Sequence, residues 1–364
     1  MEKTLMHGLN EKDMVAVINS YDLKPYYYPT LFPLKQTNFL TWKMLEGQAG
    51  LKIAADLVAR GATIPKKTRE AISRIQGDIP KIAVSREKLE DELTEYDIMI
   101  AMASTSGDLK QIVEFWAEDT EFCWTGVAAR LEWIALRQIS LGKVTVTNAN
   151  NASVLTEFDV DYAIPDAQKL GASVVWDTSA SAKPVTVDIP AALAVGKTFG
   201  ASYRYSFMST ATLAKFVQTE EVIKLCASYL SNLASMSQTP SLADVNTMLG
   251  KRVAFRGLQI IEIDQDITIE LNDGTRTTVN PFEDDVCLFS ESKVLGNTYW
   301  KRPIDMNVKT VATKGMRSHT MIQKYSDVSP LKEVTEGISN AFPAWNQAGR
   351  STLMQTNATS WSKN

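Results

Sequence analysis

A chain of 364 residues that is 45% hydrophobic, with 38 basic and 42 acidic side chains, can fold into two or three domains. Its net charge of −4 gives no global attraction to nucleic acid or anionic membrane, and no run of eighteen apolar residues offers a membrane span. Only two histidines and three widely spaced cysteines argue against histidine-based catalysis, a zinc finger or a disulfide framework, so neither cofactor nor metal is expected.

The N-terminal residues lack the apolar core of an export signal, and a reducing cytoplasm is the expected setting. Residues 1–35 read as an arm. After a short helical patch at 11–20, Pro25, Pro29 and Pro33 recur every four residues among aromatics. Proline removes an amide donor and pushes its predecessor toward extended geometry, so this segment should be extended. The rings of Tyr26, Tyr27, Tyr28 and Phe32 then need a surface, either the chain's own body or a neighbouring subunit.

Residues 36–90 read as a long extended hairpin loop. TNFLTWKMLEG is strand-like, and Gly61 and Pro65 mark a turn before the returning leg. Arg60, Lys66, Lys67, Arg69, Arg74, Lys81, Arg86 and Lys88 make the hairpin basic. No aromatic residue lies between Arg60 and Lys88, so the stacking platform of a single-strand binder is missing. A basic projection of this kind suits the acidic surface of another subunit.

An acidic lead, Glu90 to Asp97, enters the run 108–142, whose apolar residues recur in steps of three and four. Asp108 is the expected start and Gly142 the left-handed stop of a helix about 50 Å long. Its opposite face, with Glu114, Glu118, Asp119, Glu121, Arg130 and Arg137, is expected to be solvated. Glu114, Glu118 and Glu121 are candidates to receive a neighbour's basic hairpin.

Strands are expected at 144–147, 154–162 and 185–189. Asp159 and Asp161 share a strand face that reads as wet. From 191 to 317 the pattern predicts a strand at 203–208, one helix after Ser209, and a second helix after Ser241. Strands at 252–257, 258–264 and 267–275 follow, with a hairpin turn at Asn272-Asp273-Gly274. The acids between Glu262 and Asp285 lack the spacing of a calcium loop, and Gly250-Lys251-Arg252 lacks the hydroxyl of a phosphate loop. A last strand is expected at 319–325, then a polar tail in which Trp345 and Trp361 suggest surfaces covered by neighbours.

In this order the pieces resemble the lambda-type major capsid proteins of tailed phages, a branch of the Hong Kong 97-like fold. The resemblance rests on GDIPKIAVSRE (77–87), LEWIALRQISLGKVTV (131–146) with EFDVDYAIP (157–165), NPFEDDVCLFSESKVLGNTYW (280–300) and TMIQKY (320–325). It implies an α+β capsid fold with an N-terminal arm (1–35), an extended hairpin loop (36–90), a spine helix with peripheral-domain strands (91–190), an axial domain (191–317) and a C-terminal return with tail (318–364). It also implies a structural protein without catalytic residues, forming hexamers and pentamers in a virion shell around non-specifically held double-stranded DNA. Scaffolding protein, portal and a decoration protein are the other implied partners, and assembly is implied in the host bacterial cytoplasm. The region ahead of the hairpin is too short for a built-in scaffold, so a separate one is expected. Two other readings stay open: an encapsulin-type shell around protein cargo, and a hydrolase using the carboxylates of 262–285 with a divalent cation.

Overall fold

The computed structural model describes residues 11–46, 73–103, 106–147, 149–152, 158–229, 239–255, 257–271, 273–308 and 312–363. The chain divides into two units. One draws on Met1–Trp42, Asp78–Ile134 and Asn297–Ala344, the other on Lys43–Gly77, Ala135–Gly296 and Trp345–Asn364.

The first unit is organised on the 14-residue strand Leu331–Ala344. Lys81–Leu89 pairs antiparallel with its residues 332–340, Thr320–Val328 with 331–339 and Asn297–Lys301 with 340–344. Thr313–Arg317 extends the sheet beyond Thr320–Val328, and the arm strand Leu34–Gln36 adds in parallel to Asn297–Lys301. The residue pattern marks a strand at 319–325, and the resemblance carries peripheral-domain strands to about 340, but neither delimits a strand after 325. Leu331–Ala344 escapes that reading because polar and apolar side chains are buried together: Glu333, Thr335 and Ser339 beside Val334, Ile338 and Phe342.

The spine helix runs Ser106–Leu141, 36 residues and about 54 Å at the standard rise. It ends at Gly142, whose φ of 78° and N–H bond to the Gln138 carbonyl (2.8 Å) make the expected left-handed cap. Up to Ala128 it buries one stripe, including Ile112, Trp116, Cys123, Trp124 and Val127. From Leu131 to Leu141 it is buried nearly all round, polar Glu132, Gln138 and Ser140 included.

The expected solvated face needs correcting at two positions. Asp119 is buried, because strand Lys81–Leu89 brings Lys88 Nζ to 3.2 Å and Arg86 Nε to 3.4 Å from its carboxylate. A carboxylate can leave water when cations replace the lost hydration. Arg130 is also drawn in, its guanidinium 5.3 Å from the Trp133 ring centre, while Val113, one of the apolar residues of this run, is exposed.

The seam between this helix and the sheet is therefore polar. Lys324 is wholly buried, with Nζ 5.9 Å from the Trp116 ring centre and no hydrogen-bond acceptor among the described residues. Burial pushes its ammonium down to about 8; Asp119 and Glu333 pull the other way, and Lys88 adds to the fall.

In the second unit the strand order is Lys169–Gly171, Thr352–Gln355, Val286–Ser290, Tyr205–Ser209, Gln259–Ile263. Helices Ile189–Thr198, Thr210–Gln218, Glu220–Tyr229 and Leu242–Lys251 supply apolar residues to its core, which includes Trp176, Val185, Phe216, Met248 and Phe289. Ser209 and Ser241 cap their helices as expected, each accepting from the amide three residues on. Ile267–Glu270 and Arg276–Val279 form the expected hairpin around Gly274.

Three expectations fail in this unit. In place of a strand at 185–189 there is a helical turn Pro184–Asp188 running into helix Ile189–Thr198. Prolines 184 and 190 suit first-turn positions, and the Glu221 carboxylate accepts from the Val185 N–H (2.7 Å), satisfying a donor that a helix start leaves open. The single helix after Ser209 breaks at Thr219, whose extended backbone lets the Glu220 N–H turn to the Ser179 carbonyl. Residues 253–255 make a 3-10 turn in place of a strand, with Phe255 buried and Val253 left in solvent.

Candidate functional site

No group of three or more His, Cys, Asp or Glu side chains among the described residues is placed to hold a metal ion, and no described helix is long and apolar enough to cross a membrane. Asp159 accepts from Thr145 Oγ1 (2.7 Å), and Asp161 from the Ala163 N–H (2.7 Å). Asp284 accepts from Ser209, and Asp285 pairs with Lys215 (2.7 Å). Each of these acids has a local structural task. The surfaces of the arm, the hairpin and the acidic faces are what remains to read.

The arm is fastened to the first unit. Glu132 of the spine helix accepts from the Tyr27 N–H (2.8 Å) and the Tyr28 N–H (2.7 Å), at the start of the short helix Tyr28–Leu31. Burial raises the Glu132 carboxyl to about 7, the two N–H donors opposing the rise. The Tyr28 hydroxyl lies 3.1 Å from His319 Nε2, and burial holds that imidazole neutral by lowering it to about 4. Tyr26 is half-buried, its hydroxyl donating to the Thr125 carbonyl (3.3 Å). Tyr28 and Phe32 are wholly buried. Of the two surfaces open to these rings, Tyr28 and Phe32 use the chain's own body. Arg317 closes the arm helix Glu11–Ser20, its Nη1 donating to the Ile18 and Asn19 carbonyls at 3.0 Å each.

Sequence reasoning missed Glu132 as the holder of the arm. The available signal was a single acid inside the otherwise apolar run LEWIALRQISL. Trp345 also differs from expectation. It is fully buried in its own chain, its ring 5.6 Å from that of Tyr162, and its backbone N–H donates to the Tyr162 hydroxyl (3.0 Å). Trp361 is half-buried.

Of the hairpin, strands Thr41–Glu46 and Ser73–Asp78 pair with each other. Arg74 lies in the second strand, and Lys66, Lys67 and Arg69 lie outside the described residues. On the spine, Glu118 is taken by Arg86 of its own chain (2.9 Å), whereas Glu121 is exposed and Glu114 has a partner of its own. The sequence marks 90–97 as acidic, and the structure shows which of these side chains face solvent. Helix Glu90–Met102 turns Leu93 and Tyr96 inward and leaves Glu90, Asp91, Glu95, Asp97, Ile98 and Met102 in solvent.

The family model described as phage major capsid protein E matches residues 13–352. Among curated proteins none matches the chain. The crystal structure of a candidate capsid protein from a prophage of E. coli CFT073 superposes with a TM-score of 0.59 at 14% identity, covering 95% of this chain and 99% of that one. A phage-related protein from Bordetella bronchiseptica RB50 gives 0.51 at 13% identity, covering 96% and 97%. The mixed helix-and-sheet architecture is thus that of phage capsid-fold structures.

Proposed function

The chain belongs to the phage major capsid protein E family, matched over residues 13–352, and on that premise we propose that it tiles an icosahedral or prolate shell around double-stranded phage DNA. It is a shell-forming structural protein and a component of the virion. In this reading its copies form hexamers and pentamers, assemble in the host cytoplasm with a separate scaffolding protein, and leave one vertex to a portal. The unit built on strand Leu331–Ala344 takes the peripheral role, and the unit built on Val286–Ser290 the axial one.

The family match carries the reading, and physical arguments support it. A two-stranded ladder such as Thr41–Glu46 with Ser73–Asp78 is marginal alone and gains stability when laid on another subunit. The net charge of −4 suits a container that holds DNA weakly and without sequence preference.

Expression with and without scaffolding protein, followed by sedimentation and negative-stain microscopy, tests the proposal. Shells or capsomers are expected, and DNA inside shells recovered from infected cells. A persistent monomer under every condition would overturn the shell, and a defined protein cargo in place of DNA would overturn the nucleic-acid part.

A further inference from the structure

The five-stranded sheet of the second unit has two ends of different charge. Strands Tyr205–Ser209 and Gln259–Ile263 run parallel to each other, and Val286–Ser290 runs against both Tyr205–Ser209 and Thr352–Gln355. One end therefore gathers Tyr205, Gln259, Ser290 and Thr352, and the other gathers Ser209, Ile263, Val286 and Gln355.

At the second of these ends cations and carboxylates are matched. Lys215 meets Asp285 (2.7 Å) and Asp177 (3.0 Å), and Glu283 takes Lys363 (2.8 Å) and Arg137. At the first end the segments 197–204, 251–258, 291–296 and 348–351 carry Lys197, Arg204, Lys251, Arg252, Lys293 and Arg350 among their described residues, and one carboxylate, Glu291. Arg350 (2.6 Å) and the Ser202 N–H (2.6 Å) already occupy Glu291. Lys197, Lys251 and Arg252 close helices Ile189–Thr198 and Leu242–Lys251, where a cation also offsets the negative helix end. Arg204 and Lys293 lie in loops, and that account does not reach them. A chain of net charge −4 thus concentrates positive charge at one end of one sheet.

Two aromatic rings at this end lie under cations: Tyr205 beneath Lys293 (5.5 Å to the ring centre) and Phe255 beneath Arg252 (5.2 Å). The large apolar side chains exposed here are Val253 and Val294. Protein interfaces bury an apolar core, for which two valines supply little area, whereas phosphate oxygens need cations on a rigid frame. Four adjacent strands at about 4.8 Å spread Arg350, Lys293, Arg204 and Arg252 over about 14 Å. Duplex DNA carries one charge per ~1.7 Å of its axis, so several phosphates fall within that reach.

We propose that this end of the second unit is a contact surface for the phosphate backbone of double-stranded DNA. The proposal rests on the shell reading above and names the part of the subunit that meets the packaged duplex. The contact works through charge, so it is strong in low salt, weak in high salt and indifferent to base sequence.

Two experiments test it. In the first, the unassembled full-length subunit is titrated with a short fluorescent duplex of mixed sequence over a series of salt concentrations. Lys197→Gln/Arg204→Gln/Lys293→Gln is expected to weaken binding at least ~10-fold at low salt. The slope of log affinity against log salt should flatten by about 2.7, or about 0.9 for each phosphate contact removed. Lys24→Gln/Lys35→Gln/Lys224→Gln removes the same charge from other exposed positions and should stay within ~2-fold of wild type. Circular dichroism checks folding.

In the second, DNA-filled shells from infected cells are irradiated with ultraviolet light and digested. Mass spectrometry should find nucleotide adducts on the peptides holding Tyr205 and Lys293, and this result decides the matter if the triple variant does not fold. Wild-type binding by the first triple, an equal loss from the second, loss of scaffolding-protein binding with DNA binding intact, or adducts confined to other peptides would overturn the surface. DNA-filled shells alongside any of these results remove this contact only, whereas no shells from wild type remove the capsid reading itself.

Discussion

Replacing buried Lys324 with methionine should stabilise the subunit. The side chain is wholly buried, has no hydrogen-bond acceptor among the described residues, and its ammonium sits at about 8 against 10.5 in water. At pH 7 the group is charged in both states, so that difference means a charge held at a cost of about 3 kcal/mol. Between about 8 and 10.5 the unfolded chain binds more protons than the folded one, so the Lys324 contribution becomes less unfavourable as pH rises. Near pH 9.5 the cost should have fallen to about 1.4 kcal/mol. Methionine has similar length without the charge, and Asp119 keeps Lys88 and Arg86. Allowing for imperfect packing, a gain of about 1–3 kcal/mol at pH 7 is expected, shrinking toward alkaline pH. Denaturant unfolding of unassembled wild type and Lys324→Met at both pH values measures it. Taking the difference between the two proteins removes background from Cys123, pushed up to about 12 by burial, and the tyrosines. A variant less stable than wild type at pH 7, or a difference independent of pH, would refute the reasoning.

Glu132→Ala should strand the Tyr27 and Tyr28 amides at a cost of about 3 kcal/mol, seen as faster hydrogen exchange at both amides and earlier proteolysis of the arm. Because the folded Glu132 carboxyl sits at about 7 and its ordinary value is 4.5, its favourable contribution is full below about 4.5 and lost as pH rises through 7. Glu132→Gln should flatten that dependence in unfolding midpoints measured from pH 4 to 8. A methyl group on Gly171 would lie 2.1 Å from the Thr359 carbonyl carbon and 2.2 Å from the Ser360 nitrogen. Gly171→Ala should therefore displace the C-terminal segment, cost about 3 kcal/mol and expose Trp361 to chymotrypsin; unchanged stability would count against the close packing.

Local signals in the sequence were reliable where local chemistry decides the outcome. Ser209 and Ser241 cap their helices, Gly142 ends the spine, and Gly274 turns its hairpin, each through bonds a few residues away. The elements that escaped depend on distant partners. Lys332 lies opposite Leu89, and Thr352 opposite Phe289, and no periodicity within either strand reveals such pairings. Burial of Asp119 and Lys324 follows from one strand and one helix meeting, so their charge misleads when read alone. The arm shows the same limit: its prolines and aromatics announce a segment seeking a surface, but Tyr28–Leu31 turns helical where extended backbone was expected, and the surface is set by Glu132, 105 residues beyond Tyr27.

In both sheets a late segment joins strands that precede it in the chain. Strand Leu331–Ala344 carries Lys81–Leu89, Asn297–Lys301 and Thr320–Val328, and Thr352–Gln355 joins Lys169–Gly171 to Val286–Ser290. During synthesis, the earlier strands wait with open edges until these late segments have left the ribosome. A prematurely terminated chain lacks the strand that joins its sheet partners and has no completed unit to add to a growing shell. The order of the strands thus ties completion of both sheets to the synthesis of residues 331–355.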